Sequence, residues 1–147
     1  MDETIAKFKT AEHCESFAQN VEAYAPHRAL EARRRGVELQ AESHGPTTAA
    51  EREAYQAIYA YERTRFKKHG KHQKAAYTWR AVTDVGIIKA VENAVKKETV
   101  GYHALVAEGM QDMPLEAVID RYPDLFSAEA VKTSRARLAK WKDGDGA

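Results

Sequence analysis

The sequence predicts an all-α fold: one compact helical domain of seven or eight helices over residues 1–142, no sheet, and a short frayed tail at 143–147. Three observations lead there. Apolar residues recur at spacings of three and four along most of the chain, the period of an amphipathic helix. Capping residues and glycine or proline stops punctuate those stripes at helical lengths. No alternating apolar/polar run or Asn-Gly hairpin signal occurs.

Cys14, Phe17, Val21 and Tyr24 form the first stripe, which must stop before Pro26. Proline lacks the amide that a helix interior needs but suits a first helical position, so Pro26 opens the next helix. That helix presents a small-residue face of Ala29, Ala32, Gly36 and Leu39, beside Leu30 and Val37, and ends at Gly45-Pro46. Thr48-Ala-Ala-Glu51 reads as a capping box, in which the hydroxyl accepts an orphan amide and the glutamate reaches back. A long helix follows to about Lys68, with Gly70 as its stop. It is apolar on more than one side (Ala54, Ile58 and Tyr61; Tyr55, Tyr59 and Phe66), as expected of a helix that is central or covered by a partner.

A fourth helix is expected over 71–84, stopped by Gly86, and a fifth carries Ile87, Val91 and Val95 on one face. Two shorter helices, GYHALVAEG and MPLEAVIDRY, end at Gly109 and Pro123. The last has a Ser127 cap, a Phe126-to-Val131 staple, and a side lined by Val131, Ser134, Leu138 and Trp141.

The runs 48–62 (TAAEREAYQAIYAYE), 78–95 (TWRAVTDVGIIKAVENAV) and 101–141 resemble a family of small helical proteins of bacterial, chiefly proteobacterial, genomes. The resemblance spans nearly the whole chain. It implies a helical bacterial protein and carries no activity or site residues.

Composition narrows the function classes. With 147 residues, 44% hydrophobic and 31% charged, the chain fits a globular domain rather than a disordered one. No apolar run approaches the roughly 18 residues of a membrane span. The N-terminal MDETIAKFKTAEHCE lacks the pattern of a signal peptide, and a single cysteine excludes an internal disulfide, so the cytoplasm is the expected compartment.

No enzyme signature is present: no His-Glu-x-x-His, no helical Glu-x-x-His pair, no phosphate loop and no nucleophile elbow. His69 and His72 could offer two nitrogens to a metal. Gly70 lies between them and Lys67, Lys68 and Lys71 would repel a dication, so neither a metal nor an organic cofactor is expected. Cys14, on an apolar stripe, reads as a small core residue.

Charge distribution is the informative feature. Residues 1–62 carry 7 basic and 11 acidic side chains (net −4), and residues 63–97 carry 10 and 2 (net +8). Residues 98–131 carry 1 and 7 (net −6), and residues 132–147 carry 5 and 2 (net +3). The run RTRFKKHGKHQKAAYTWR, 63–80, contains no acid at all. A solvated helix face usually intersperses signs.

The residues expected to contact nucleic-acid phosphates are Arg63, Arg65, Lys67, Lys68, Lys71, Lys74 and Arg80, with Tyr77 positioned to stack on a base. Lys132, Arg135, Arg137, Lys140 and Lys142 offer a second basic face. DNA and RNA are both open. A standard helix-turn-helix around Gly86 is disfavoured, because Glu92 stands where the motif needs an apolar residue. The alternative is a protein-interaction or homo-oligomeric scaffold with no nucleic-acid role, in which the +8 block meets the −6 block within a homodimer or docks an acidic protein.

Overall fold

The computed structural model describes residues 2–69, 75–97 and 102–143, with the backbone alone for 66–69. The fold is all-α. Among the described residues there are nine α-helices, one 3-10 turn and no strand. The helices are α1 (Glu3–Ala6), α2 (Ala11–Val21), α3 (Pro26–Glu42), α4 (Ala49–His69), α5 (Ala76–Val85), α6 (Ile87–Lys97), α7 (Tyr102–Ala107), α8 (Leu115–Arg121) and α9 (Ala128–Lys142). The element beyond the expected eight is α1, a single turn capped by Asp2, whose carboxylate accepts from the Thr4 and Ile5 amides. A turn that short has no periodicity to read.

Local chemistry sets the helix ends. Thr10 Oγ1 accepts from the His13 amide at 3.1 Å to start α2. Thr48 Oγ1 accepts from the Glu51 amide at 3.1 Å, and Glu51 reaches back to the amide and hydroxyl of Thr47 at 2.9 and 2.8 Å. The capping box therefore closes one residue further out than its sequence pattern suggests. Ser127 Oγ accepts from Ala130 N at 3.1 Å, and Phe126 and Val131 join the same apolar cluster. A tertiary contact reinforces this cap: Glu92 of α6 accepts from the Ser127 amide at 2.6 Å.

Two cores divide the molecule. The smaller one holds Ile5, Ala18, Val21, Ala29 and Ala32, with Phe8 and Phe17 against it. Gly36 of α3 faces Cys14 and Ala11 of α2, where an added Cβ would make only ordinary contact, 3.5 Å from Cys14 Cβ. The larger core gathers Ala54, Ala57 and Ile58 of α4 with Val91 and Val95 of α6, Val118 and Ile119 of α8, and Ala130 of α9. Fully buried side chains such as Ile58 and Ile119 each contribute about 1.5–3 kcal/mol. The two-sided apolar character of α4 follows from this central position between α3, α6, α7 and α8.

Three expectations are corrected. Tyr24 does not continue the α2 stripe: the helix ends at Val21 and Tyr24 is 75% exposed. The fourth helix begins at Ala76 rather than 71. Leu138 is half-buried, and the inner side of α9 is carried by Ala130, Ser134 and Trp141. The Gly70 stop and the 144–147 tail lie outside the described residues.

Candidate nucleic-acid interface

Folding sends the described parts of the acid-free run 63–80 to two different places. Arg63 turns inward. Its side chain is 16% exposed and its Nη2 donates to Glu15 Oε1 at 3.1 Å. The same carboxylate receives Arg33 Nε at 3.1 Å, and Arg33 Nη1 reaches Glu22 at 2.8 Å. These groups border a cavity of about 420 Å³ between α2, α3 and α4, with Cys14, Gly36, Tyr59 and Glu62 in its walls. Burial pushes the Cys14 thiol up from its ordinary value, which leaves it protonated and weakly nucleophilic.

Arg65 is half-buried, its guanidinium 5.7 Å from the centre of the Tyr61 ring. Lys67 and Lys68 ride on the last turns of α4, where only the backbone is described. Lys71, His72 and Lys74 lie outside the described residues.

Tyr77 and Arg80 stand on α5, whose setting is unusual. No residue of α5 itself is buried. The helix is fastened at its start by Glu62, which is 3% exposed and accepts from the Ala75 amide at 2.7 Å and from Trp79 Nε1 at 2.6 Å. Around Trp79 is an aromatic cluster: the His44 ring stacks on Tyr55 (4.3 Å, 4°) and on Trp79 (5.2 Å, 13°), which are themselves 6.3 Å apart. His44 Nε2 is 2.7 Å from the Tyr59 hydroxyl, and burial lowers the imidazole below its ordinary pKa.

At its other end α5 meets α6 through the single residue Gly86, at φ 87°, a conformation that suits glycine. A one-residue joint is too short for a helix-turn-helix. Glu92 has a structural task instead, holding Ser127 N, Lys89 at 2.8 Å and Lys96 at 3.8 Å.

Between α5 and α6 is a cleft of about 300 Å³. Ala81, Ala90 and Ala94 give it apolar walls, and Tyr77, Arg80, Asp84, Asn93 and Lys97 supply its chemistry. Tyr77 is 69% exposed. Lys97 Nζ donates to the Tyr77 hydroxyl at 3.1 Å and sits 4.5 Å from the ring centre. That hydrogen bond, with the ammonium charge, draws the phenol below its ordinary pKa. Among the described residues Arg80 makes no ion pair, and the Asp84 and Asn93 side chains make no hydrogen bond.

Sequence reasoning missed Lys97, Asn93 and Asp84. The spacing of Ala90, Asn93, Ala94 and Lys97 marks one face of α6, but only the bend at Gly86 sets that face against α5.

Elsewhere part of the charge blocks is consumed within the chain. Asp112 takes both guanidinium nitrogens of Arg34 at 2.8 and 2.6 Å, which holds its carboxyl below the usual range. Asp120 pairs with Arg135 at 2.8 Å, and the fully buried Glu116 with Arg137 at 3.0 Å. The acidic block 98–131 thus spends three carboxylates on internal arginines, two of them from the expected α9 face. Lys132, Lys140 and Lys142 remain exposed there.

No family model, curated protein or solved structure matches the chain. Among the described residues, no helix is long and apolar enough to cross a membrane.

Proposed function

We propose that this protein binds nucleic acid through the α5–α6 face. One observation carries the reading: Tyr77, exposed and in contact with Lys97, adjoins an Arg80 that no carboxylate among the described residues neutralises. Cations with no internal partner are available to phosphates, and an exposed aromatic ring is a stacking platform for a base. Arg65, Lys67, Lys68, Lys71 and Lys74 precede α5 in sequence and extend the same cationic stretch of chain.

The scaffold alternative drew its support from complementary charge blocks. Internal pairing of Asp112, Glu116 and Asp120 draws three of the block's seven carboxylates out of that argument.

The test is salt-dependent binding to single-stranded and duplex oligonucleotides. About four phosphate contacts give a log–log slope near −3 on a single strand or −4 on a duplex. Replacing Arg80 and Lys97 by alanine should lower its magnitude by about 1.5–2. Absence of binding to every probe at about 50 mM salt overturns the reading, and an acidic protein then becomes the better partner for this face.

A further inference from the structure

Resting on that nucleic-acid reading, we infer that the ligand is single-stranded and that one of its bases enters the α5–α6 cleft, stacks on Tyr77 and is read on its Watson–Crick edge by Asp84 and Asn93. A duplex keeps its bases stacked and paired, and presents phosphates to a flat or convex cationic surface. A single strand can splay a base into a concavity. The cleft is concave, and its volume of about 300 Å³ is at the lower end of the ~300–1,000 Å³ typical of small-ligand sites. Alanines form its walls, leaving room for a planar group.

Asp84 is what distinguishes base reading from simple phosphate attraction. A carboxylate in a cationic cleft repels phosphate, so a surface built only for the backbone has no use for one there. Among the described residues Asp84 has no partner, and neither has Asn93 opposite it on α6. A carboxylate only accepts hydrogen bonds. It therefore favours an edge with adjacent N–H donors, and guanine presents two, N1–H and the N2 amino group. Adenine sets an acceptor beside its one amino group, and its N1 would face a carboxylate oxygen. Asn93, with both a donor and an acceptor, can take the remaining edge atoms. Arg80 and Lys97 then neutralise the phosphates flanking the inserted base. This base-and-phosphate chemistry is common to RNA and DNA.

The experiment measures anisotropy with the full chain at low salt, using probes in both sugar types. They are a mixed-sequence single strand, the matching blunt duplex, an abasic backbone of equal length, and that backbone carrying one guanine or one adenine. The intact single strand of at least one sugar type should bind about tenfold more tightly than the duplex and the abasic backbone, as one stacked base implies. Tyr77→Ala should abolish that margin and leave duplex affinity unchanged. The single guanine should outbind the single adenine several-fold, and Asp84→Asn should erase the difference. Circular dichroism checks that these exposed-residue variants stay folded.

Equal binding of single strand, duplex and abasic backbone overturns the inference while leaving nucleic-acid binding intact. Equal affinity for guanine and adenine overturns the role of Asp84. No binding to any probe overturns both this inference and the reading beneath it.

Discussion

The α2–α3–α4 cavity and the α5–α6 cleft are built from similar parts and have opposite electrostatics. Each holds two basic side chains, a tyrosine and at least one acid. In the cavity, Arg33 is 5% exposed and Arg63 is 16% exposed, and both end on Glu15. In the cleft, Arg80 and Lys97 are exposed, and Asp84 neutralises neither. Arg63 and Arg80 come from the same acid-free run. A local charge count gives them equal standing, and the fold assigns one to stability and leaves the other to the solvent. The field of a basic segment depends on which distant carboxylates the fold brings to it.

The largest effect should come from the residue that keeps the two regions distinct. Trp79 fastens α5 to α4, and α5 has no buried residue of its own. Trp79→Ala should destabilise by about 3 kcal/mol, the lower end for a large aromatic because Trp79 is only half-buried. It should also abolish binding at the cleft, since the α5 wall is no longer held. Urea unfolding and an oligonucleotide titration check the two parts. A stable variant with unchanged affinity would show that α5 is positioned by α6 alone.

Glu15→Ala should come next, at about 2 kcal/mol. Removing one partner of a buried pair leaves a charge uncompensated, at roughly 3–5 kcal/mol for a fully buried case. Glu15 is 25% exposed and Arg33 keeps Glu22, so solvent and the second carboxylate soften the loss. Affinity for an oligonucleotide should not change. A fall in affinity equal to that of a cleft variant would join the two regions into one site.

Much of this architecture is legible in the sequence, because it rests on local chemistry. Thr48, Ser127, Pro26 and Gly86 mark helix ends that any helix would need. The Ile87, Val91 and Val95 stripe of α6 is buried as its period requires. Legibility ends where the decisive contact is distant. Arg63 meets Glu15 only after α2 and α4 have both packed on α3, and Lys97 meets Tyr77 only because Gly86 folds α6 back on α5. Leu138 looks like core by spacing, yet Ser134 and Trp141 occupy the inner line of α9 and leave it half outside. Tyr77 and Arg80 were nameable as candidates from composition, whereas Asp84 and Asn93 were not. Nothing local separates an unpartnered polar side chain from a solvated one.

A smaller effect is expected of pH, in the α8–α9 region that shares the cavity's pairing logic. Burial raises the Glu116 carboxyl, and its own backbone hydrogen bond and Arg137 only partly offset this. The folded chain therefore holds the Glu116 proton more tightly than the unfolded chain. Its contribution is fully present below the unfolded pKa, near 4.5, and is lost as pH rises through the folded value. Thermal melts across that window should show Glu116→Gln, which cannot titrate, with less stability loss on raising pH than the parent. Parallel curves would mean that the Arg137 pair keeps Glu116 ionised throughout.

The finest comparison sets Arg63→Ala against Arg80→Ala, the same change in the same basic run. Arg63→Ala removes a mostly buried donor from Glu15 and should cost about 1 kcal/mol, since Arg33 still satisfies the carboxylate. Arg80→Ala alters an exposed side chain with no ion pair among the described residues and should stay within about 0.5 kcal/mol. Oligonucleotide affinity should reverse the order: unchanged for Arg63→Ala, and for Arg80→Ala weakened, with a salt slope shallower by about 0.7–0.9. Each variant loses one positive charge, so net charge cannot explain opposite outcomes. If both weaken binding equally, the whole run acts as a diffuse cationic field and the cleft has no special role. If neither does, the cations that matter are others of the basic stretch, Lys67 to Lys74 and Lys97, or those on α9, Lys132, Lys140 and Lys142, and the same measurement on the two groups separates them.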